Sequence, residues 1–206
     1  MSAQNRMAKL YIVRHGNTFD KGDVVTRVGG RTDLPLSTSG KAQARALGEH
    51  LRHVHFVTAR SGPLKRTRET AAAILVAQAA PPDLTTEVFL REIDYGPDEN
   101  RPEDVVIARV GKAALEAWER DSIPPPGWRV DPAALVGNWQ EMFSDLAKEE
   151  GVHLIVTSNG IARFALAAAG ETRADAKLAT GAYGIVELVQ GEATVPAWNV
   201  RPPVVP

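Results

Sequence analysis

Short apolar runs alternate along this chain with longer stretches whose apolar residues recur at helical spacing. The first run, "KLYIV" (Lys9–Val13), reads as a buried strand and opens into the polar, glycine-containing "RHGNT". Ser37 or Ser39 can then cap a helix in which Leu47, Leu51 and Val54 share a face. "VHFVTA" (Val54–Ala59) predicts a second strand, and "SGPLKRTRETAAAIL" a loop and a helix with Leu64, Ala71, Ile74 and Leu75 on one stripe. "TTEVFLREIDYG" predicts a third strand ending in acidic residues. Val152–Val156 is another buried run, followed by the apolar helix "IARFALAAAG". "YGIVELVQG" alternates apolar and polar residues, as a strand nearer a sheet edge does. Strands alternating with helices predict an α/β protein: a three-layer α/β/α sandwich on a mostly parallel sheet.

Asp131 followed by Pro132 predicts a capped helix start, and Leu135, Trp139, Met142, Phe143 and Leu146 form its core stripe. The alternation is weakest over residues 100–131. Val105 to Glu119 fits one or two helices, and the three prolines of "SIPPPGW" end them. Two readings stand for this region: a small helical cap inserted over the sheet edge, or an ordinary connection with Trp118 and Trp128 in packing roles. The tail "VRPPVVP" predicts extended chain.

Composition narrows the class. With 206 residues, 44% hydrophobic and 24% charged, the chain can build one globular domain. A net charge of −1 gives no general attraction to nucleic acid or to an acidic membrane surface. There is no cysteine, so thiol chemistry and disulfides are excluded. The start "MSAQNRMAKLYIVRHG" lacks the apolar run of a signal peptide, and no stretch is long and apolar enough to span a membrane. The expectation is a cytoplasmic protein. An edge strand and the proline tail leave a homodimer open.

Ligands of open α/β sheets bind beyond the carboxyl ends of the strands. The first strand delivers Arg14, His15, Asn17 and Thr18 there, and the second leads to Arg66. The third brings Glu92 and Asp94, the fourth Ser158 and Asn159. Arginines with paired donors, a histidine able to attack phosphorus and a carboxylic acid suit a tetrahedral oxyanion. Asp, Glu and His are not clustered at ligand spacing, so no metal and no cofactor are expected. His50, His53, His55 and His153 match no motif and read as surface or core residues.

The segments "LYIVRHGNT", "GRTDLPLSTSGKAQA", "SGPLKRTRETA" and "REIDYG" resemble, in order and rough spacing, the histidine phosphatase superfamily of phosphoglycerate mutase-like proteins. RHG alone is weak; the ordered set is specific. The resemblance implies a phosphoesterase working through a phosphohistidine. His15 would be the nucleophile, Arg14 and Arg66 would hold the phosphate, and Glu92 would be the general acid, with Asp94 as its alternative. Asn17 and Thr18 would line the pocket floor, while Gly30 and Arg31 would border the substrate without a fixed role. The family's second histidine falls at "LIVTSNG", where this chain has Asn159. Asparagine keeps a hydrogen-bond donor but cannot carry charge. Losing a preorganised donor slows turnover by roughly two to three powers of ten. Three functions follow, in order: hydrolysis of small phosphoesters, a phosphate-binding or protein-interaction domain without turnover, and a phosphoglycerate mutase. The mutase branch implies a longer chain and both histidines.

Overall fold

The computed structural model describes residues 7–172 and 176–204. The polar start over residues 1–6, part of the segment read for a leader, and the last two residues of the tail lie outside that range. Among the described residues, six strands form one sheet in the order β3-β2-β4-β1-β5-β6. They are β1 (Met7–Arg14), β2 (Phe56–Ser61), β3 (Leu84–Thr86), β4 (Gly151–Thr157), β5 (Tyr183–Val189) and β6 (Glu192–Val200). β1, β4, β2 and β3 run parallel, while β5 and β6 add antiparallel. The central strands are apolar on both sides because both faces are covered.

One face is covered by α1 (Thr38–Leu51) and α2 (Lys65–Leu75), where Leu47, Leu51 and Ile74 pack on Val13, Leu154 and Val156. α5 (Pro132–Leu146) and α6 (Asn159–Ala168) cover the other face with Trp139, Phe143 and Phe164 against Leu10, Ile12 and Ile155. The expected caps form. Ser37 accepts from the Gly40 N–H at 3.2 Å, and Asp131 from the Ala134 N–H at 3.1 Å. The region expected to hold one or two helices has two, α3 (Glu103–Val110) and α4 (Lys112–Asp121). Trp118 of α4 and Trp128 are both buried, edge-on to one another at 5.5 Å, with Trp118 also against Phe164 of α6.

Two expectations change. The second strand begins at Phe56 rather than Val54, because the chain is still turning out of α1 there. The third strand is only Leu84–Thr86. A 3₁₀ turn over Val88–Leu90 ends it and leaves Val88 75% exposed, so "TTEVFLREIDYG" is not one continuous strand. The chain instead crosses the sheet's carboxyl end, where the Leu90 carbonyl accepts from Thr157 Oγ1 at 2.9 Å. As its alternation predicts, β5 lies near the edge, with only β6 outside it, where Pro196 is tolerated because an edge strand has an unpaired side. The described tail beyond Val200 has no regular structure.

Candidate active site

β1 and β4 pair in parallel from Ala8↔Gly151 to Arg14↔Thr157, so both strands end at one level. Arg14 and His15 leave β1 beside Ser158 and Asn159, which open α6. A cavity of about 510 Å³ lies over this point. Arg14, His15, Asn17, Thr18, Glu92 and Asn159, all singled out from sequence, line it.

The His15 ring is 6% exposed and its tautomer is fixed by geometry. Nδ1 is 2.7 Å from the Gly16 carbonyl, which can only accept, so Nδ1 carries the proton. Nε2 therefore bears the lone pair, and Arg66 Nε–H donates to it at 3.2 Å. Burial, then the charges of Arg66 and Arg14, push the imidazole pKa well below its ordinary 6.5. The ring is neutral at neutral pH, with its unprotonated Nε2 facing Arg66.

The turn carrying His15 is seated on the start of α1 by contact between backbones. A Cβ on Gly16 would stand 2.4 Å from the Gly40 carbonyl oxygen, and one on Gly40 would stand 2.0 Å from that of Asn17. The glycines of "RHG" and "PLSTSG" are two sides of one contact. Asn17 is held alongside it, donating from Nδ2 to Ser39 and accepting from the Thr180 hydroxyl at 2.5 Å.

Arg66 is 0% exposed and sits behind the His15 ring rather than on the cavity wall. Its amino groups donate to the Thr32 and Gly29 carbonyls at 2.8 and 3.2 Å. Arg14 donates from Nη1 to the Leu178 carbonyl at 2.8 Å, and its buried Nε has no partner. Burial lowers the pKa of both guanidinium groups, which remain cations because arginine starts so high.

Glu92 lies on irregular chain, 7% exposed. Oε1 accepts from the Ile93 N–H at 2.9 Å and Oε2 from the Gly160 N–H at 3.3 Å. A Cβ at Gly160 would stand 2.2 Å from Oε1, so the second residue of α6 must be glycine for the carboxyl to sit there. Burial raises its pKa above the ordinary 4.5, outweighing these hydrogen bonds and the nearby arginines. Asp94 differs. It does not line the cavity; Oδ1 accepts from Arg31 Nε and the Gly96 N–H at 2.9 and 2.8 Å. Burial would raise Asp94, but the Gly96 N–H and Arg31 outweigh it and hold it below its usual range. Arg31 is thus an anchor for Asp94 and the Gly96 carbonyl, and Gly30 packs on the Glu92 backbone.

Asn159 is oriented by its own bond. Its Oδ1 accepts from the Leu178 N–H at 2.8 Å, which fixes the amide and turns Nδ2 into its other direction. Arg27, Tyr95, Glu103, Glu119, Lys177 and Thr180 also line the cavity, and sequence reading missed them. They reach it from loops and from α3 and α4, so no local pattern marks them. His50, His53, His55 and His153 are remote from it; His153 is buried and meets the Thr58 hydroxyl at 2.9 Å. No helix among the described residues is long and apolar enough to cross a membrane.

The probable phosphoglycerate mutase GpmB of Citrobacter koseri is 32% identical over 165 residues, covering 76% of this chain and 71% of that protein. Among solved structures, a phosphoglycerate mutase from Bacillus anthracis superposes with a TM-score of 0.81 at 22% identity, over 95% of this chain and 94% of that one. A mycobacterial glucosyl-3-phosphoglycerate phosphatase gives 0.79 at 20% identity, over 95% and 100%. These two likenesses show the fold. The profile of the histidine phosphatase superfamily (branch 1) matches residues 10–201, nearly the whole described sheet and its helices, and the chain belongs to that family.

Proposed function

We propose that this protein is a phosphatase-type hydrolase of small phosphomonoesters that works through a phosphohistidine at His15. The observation that carries the reading is the pairing of protonation states. His15 is held neutral with Nε2 unprotonated, and Glu92 is held toward its protonated form, across one cavity. Opposite perturbation of two neighbouring groups is how acid and nucleophile are separated at one pH.

The steps follow from those states. The Nε2 lone pair forms a bond to phosphorus while the bond to the leaving oxygen breaks. Glu92 gives its proton to that oxygen, so the alcohol departs neutral. Arg14 Nε and Asn159 Nδ2 are the donors open to the phosphoryl oxygens, and Arg66 Nε, which donates to His15 Nε2, is released to them as that lone pair turns to phosphorus. Water then attacks phosphorus, its proton passes to the Glu92 carboxylate, and the N–P electron pair returns to Nε2. Residues 100–131 act as a cap in this reading, since α3 and α4 contribute Glu103 and Glu119 to the wall.

A second reading, a phosphate-binding domain without turnover, is favoured by Asn159 alone, which cannot supply the charge of a second histidine. Hydrolysis of an aryl phosphate from pH 5 to 8 separates the two. The wild type is expected to turn over, His15→Ala to be inactive, and Asn159→His to be faster by up to roughly two to three powers of ten. An inert wild type revived by Asn159→His would establish the binding domain instead.

A further inference from the structure

Away from His15, the wall contributed by the chain between the sheet and α5 has an unusual charge arrangement. Glu119 of α4 lines the cavity. Its place is fixed from behind by Arg163 of α6, one turn after Asn159 and only 5% exposed. Arg163 donates from Nη2 to the Glu119 carbonyl at 2.5 Å and lies 4.8 Å over the Trp118 ring. Its Nη1 forms a long ion pair with Glu119 Oε2 at 3.7 Å and has no hydrogen-bond partner. Arg163 therefore holds Glu119 through its backbone carbonyl and a long ion pair, and neither carboxylate oxygen accepts a hydrogen bond from it, so both can accept from the cavity. Arg163 offsets part of its charge, and Arg14 lies within its electrostatic reach.

The cations of this outer wall are already engaged. Arg27 donates to Glu103 at 2.5 Å while stacked over Tyr95 and Trp128 at 5.3 and 5.0 Å. Lys177 is not free either. With Glu103 and Glu119 against Arg27 and Lys177, the outer wall is balanced and offers acceptors. The Arg27 Nε is buried without a partner, so a second anionic group on a substrate would have to displace Glu103 from Arg27 and would approach a carboxylate.

We propose that this wall selects the leaving group, and that the substrates are monoesters of alcohols rich in hydroxyl or ammonium donors and lacking a second anion. The assignment rests on the hydrolase reading above. Glu119 is a specificity-determining residue, and Arg163 is the positioning residue that presents it.

The test compares kcat/KM for glycerol 3-phosphate, O-phosphoethanolamine and 3-phosphoglycerate, with an aryl phosphate as reference. The wild type is expected to favour the first two. Two like charges several ångströms apart near a protein surface shift such ratios on the order of tenfold. Glu119→Gln should therefore raise the 3-phosphoglycerate to glycerol 3-phosphate ratio about tenfold and lower the relative rate on the ethanolamine ester; Glu119→Lys should move both further. Glu103→Gln provides a second, independent neutralisation of the same wall should α4 tolerate no change. A wild-type preference for 3-phosphoglycerate, or ratios unmoved in the variants, overturns the leaving-group assignment while leaving the hydrolase reading intact. Inactivity of the wild type on all four esters overturns both.

Discussion

Asn159 spends its carbonyl on the Leu178 N–H, so what it can offer a ligand is two amide hydrogens and no charge. The site's electrostatics then rest on Arg14, Arg66 and the two groups whose pKa values are displaced. The signs give a pH prediction. His15 is depressed below 6.5, so the nucleophile is lost only when the pH falls well below that value. Glu92 is raised above 4.5, so the acid is lost as the pH rises through a value higher than that. kcat/KM should rise as pH climbs through the depressed His15 pKa and fall as it passes the raised Glu92 pKa, when Glu92 ionises. In Glu92→Gln the alkaline limb should disappear along with most of the turnover; a pH profile of both proteins on an aryl phosphate checks it, and an unchanged alkaline limb would remove Glu92 from the role of acid. Stability follows the same signs: the Glu92 contribution is present below 4.5 and is lost as pH rises through its folded pKa, so Glu92→Gln should gain stability relative to wild type at pH 8 compared with pH 5.

At the scale of elements, the contact between the His15 turn and α1 is the sharpest constraint. Gly40→Ala places a methyl group 2.0 Å from a backbone oxygen, which no rotamer relieves. The expected cost is roughly 1–3 kcal/mol by denaturant unfolding, with aryl phosphate hydrolysis falling further than the lost stability explains, because the helix must back away from the turn. Retained activity with full stability would mean that this contact does not hold the site. The same scale shows what the sequence could and could not reveal. β1 and β4 were legible because a strand buried on both faces is written as a continuous apolar run. Residues 84–95 misled because Leu90 and Ile93 are buried by tertiary packing at the sheet's end, not by alternation along a strand. β6 escaped notice because Pro196 interrupts it and its outer edge needs no apolar pattern. The motifs placed His15, Arg14, Glu92 and Asn159 on one cavity, yet Arg66 came to rest behind the ring. Arg27 and Glu119 had no signal at all, since their approach depends on how α3 and α4 pack.

For the whole molecule, folding gathers Arg14, Arg66, His15 and Glu92 at a buried junction, where desolvation shifts every one of them away from its charged form. A phosphate dianion reverses that for the arginines. Inorganic phosphate at a hundred times its dissociation constant should stabilise the fold by about 2.7 kcal/mol, a rise of several degrees in Tm that Arg14→Ala should abolish. The same ion should compete with substrate, and steady-state inhibition by phosphate checks this; a Tm indifferent to phosphate would contradict it. One residue links the parts of this grip. Leu178 receives Arg14 on its carbonyl and gives its N–H to Asn159, so one side chain at the end of β1 and one at the start of α6 take their aim from a single loop position. On the reading proposed, that loop works like the common spindle of two instruments: lengthening or shortening the α6–β5 connection would detune both together. Redesign for a new leaving group is better begun on the α4 wall, leaving Leu178 where it is.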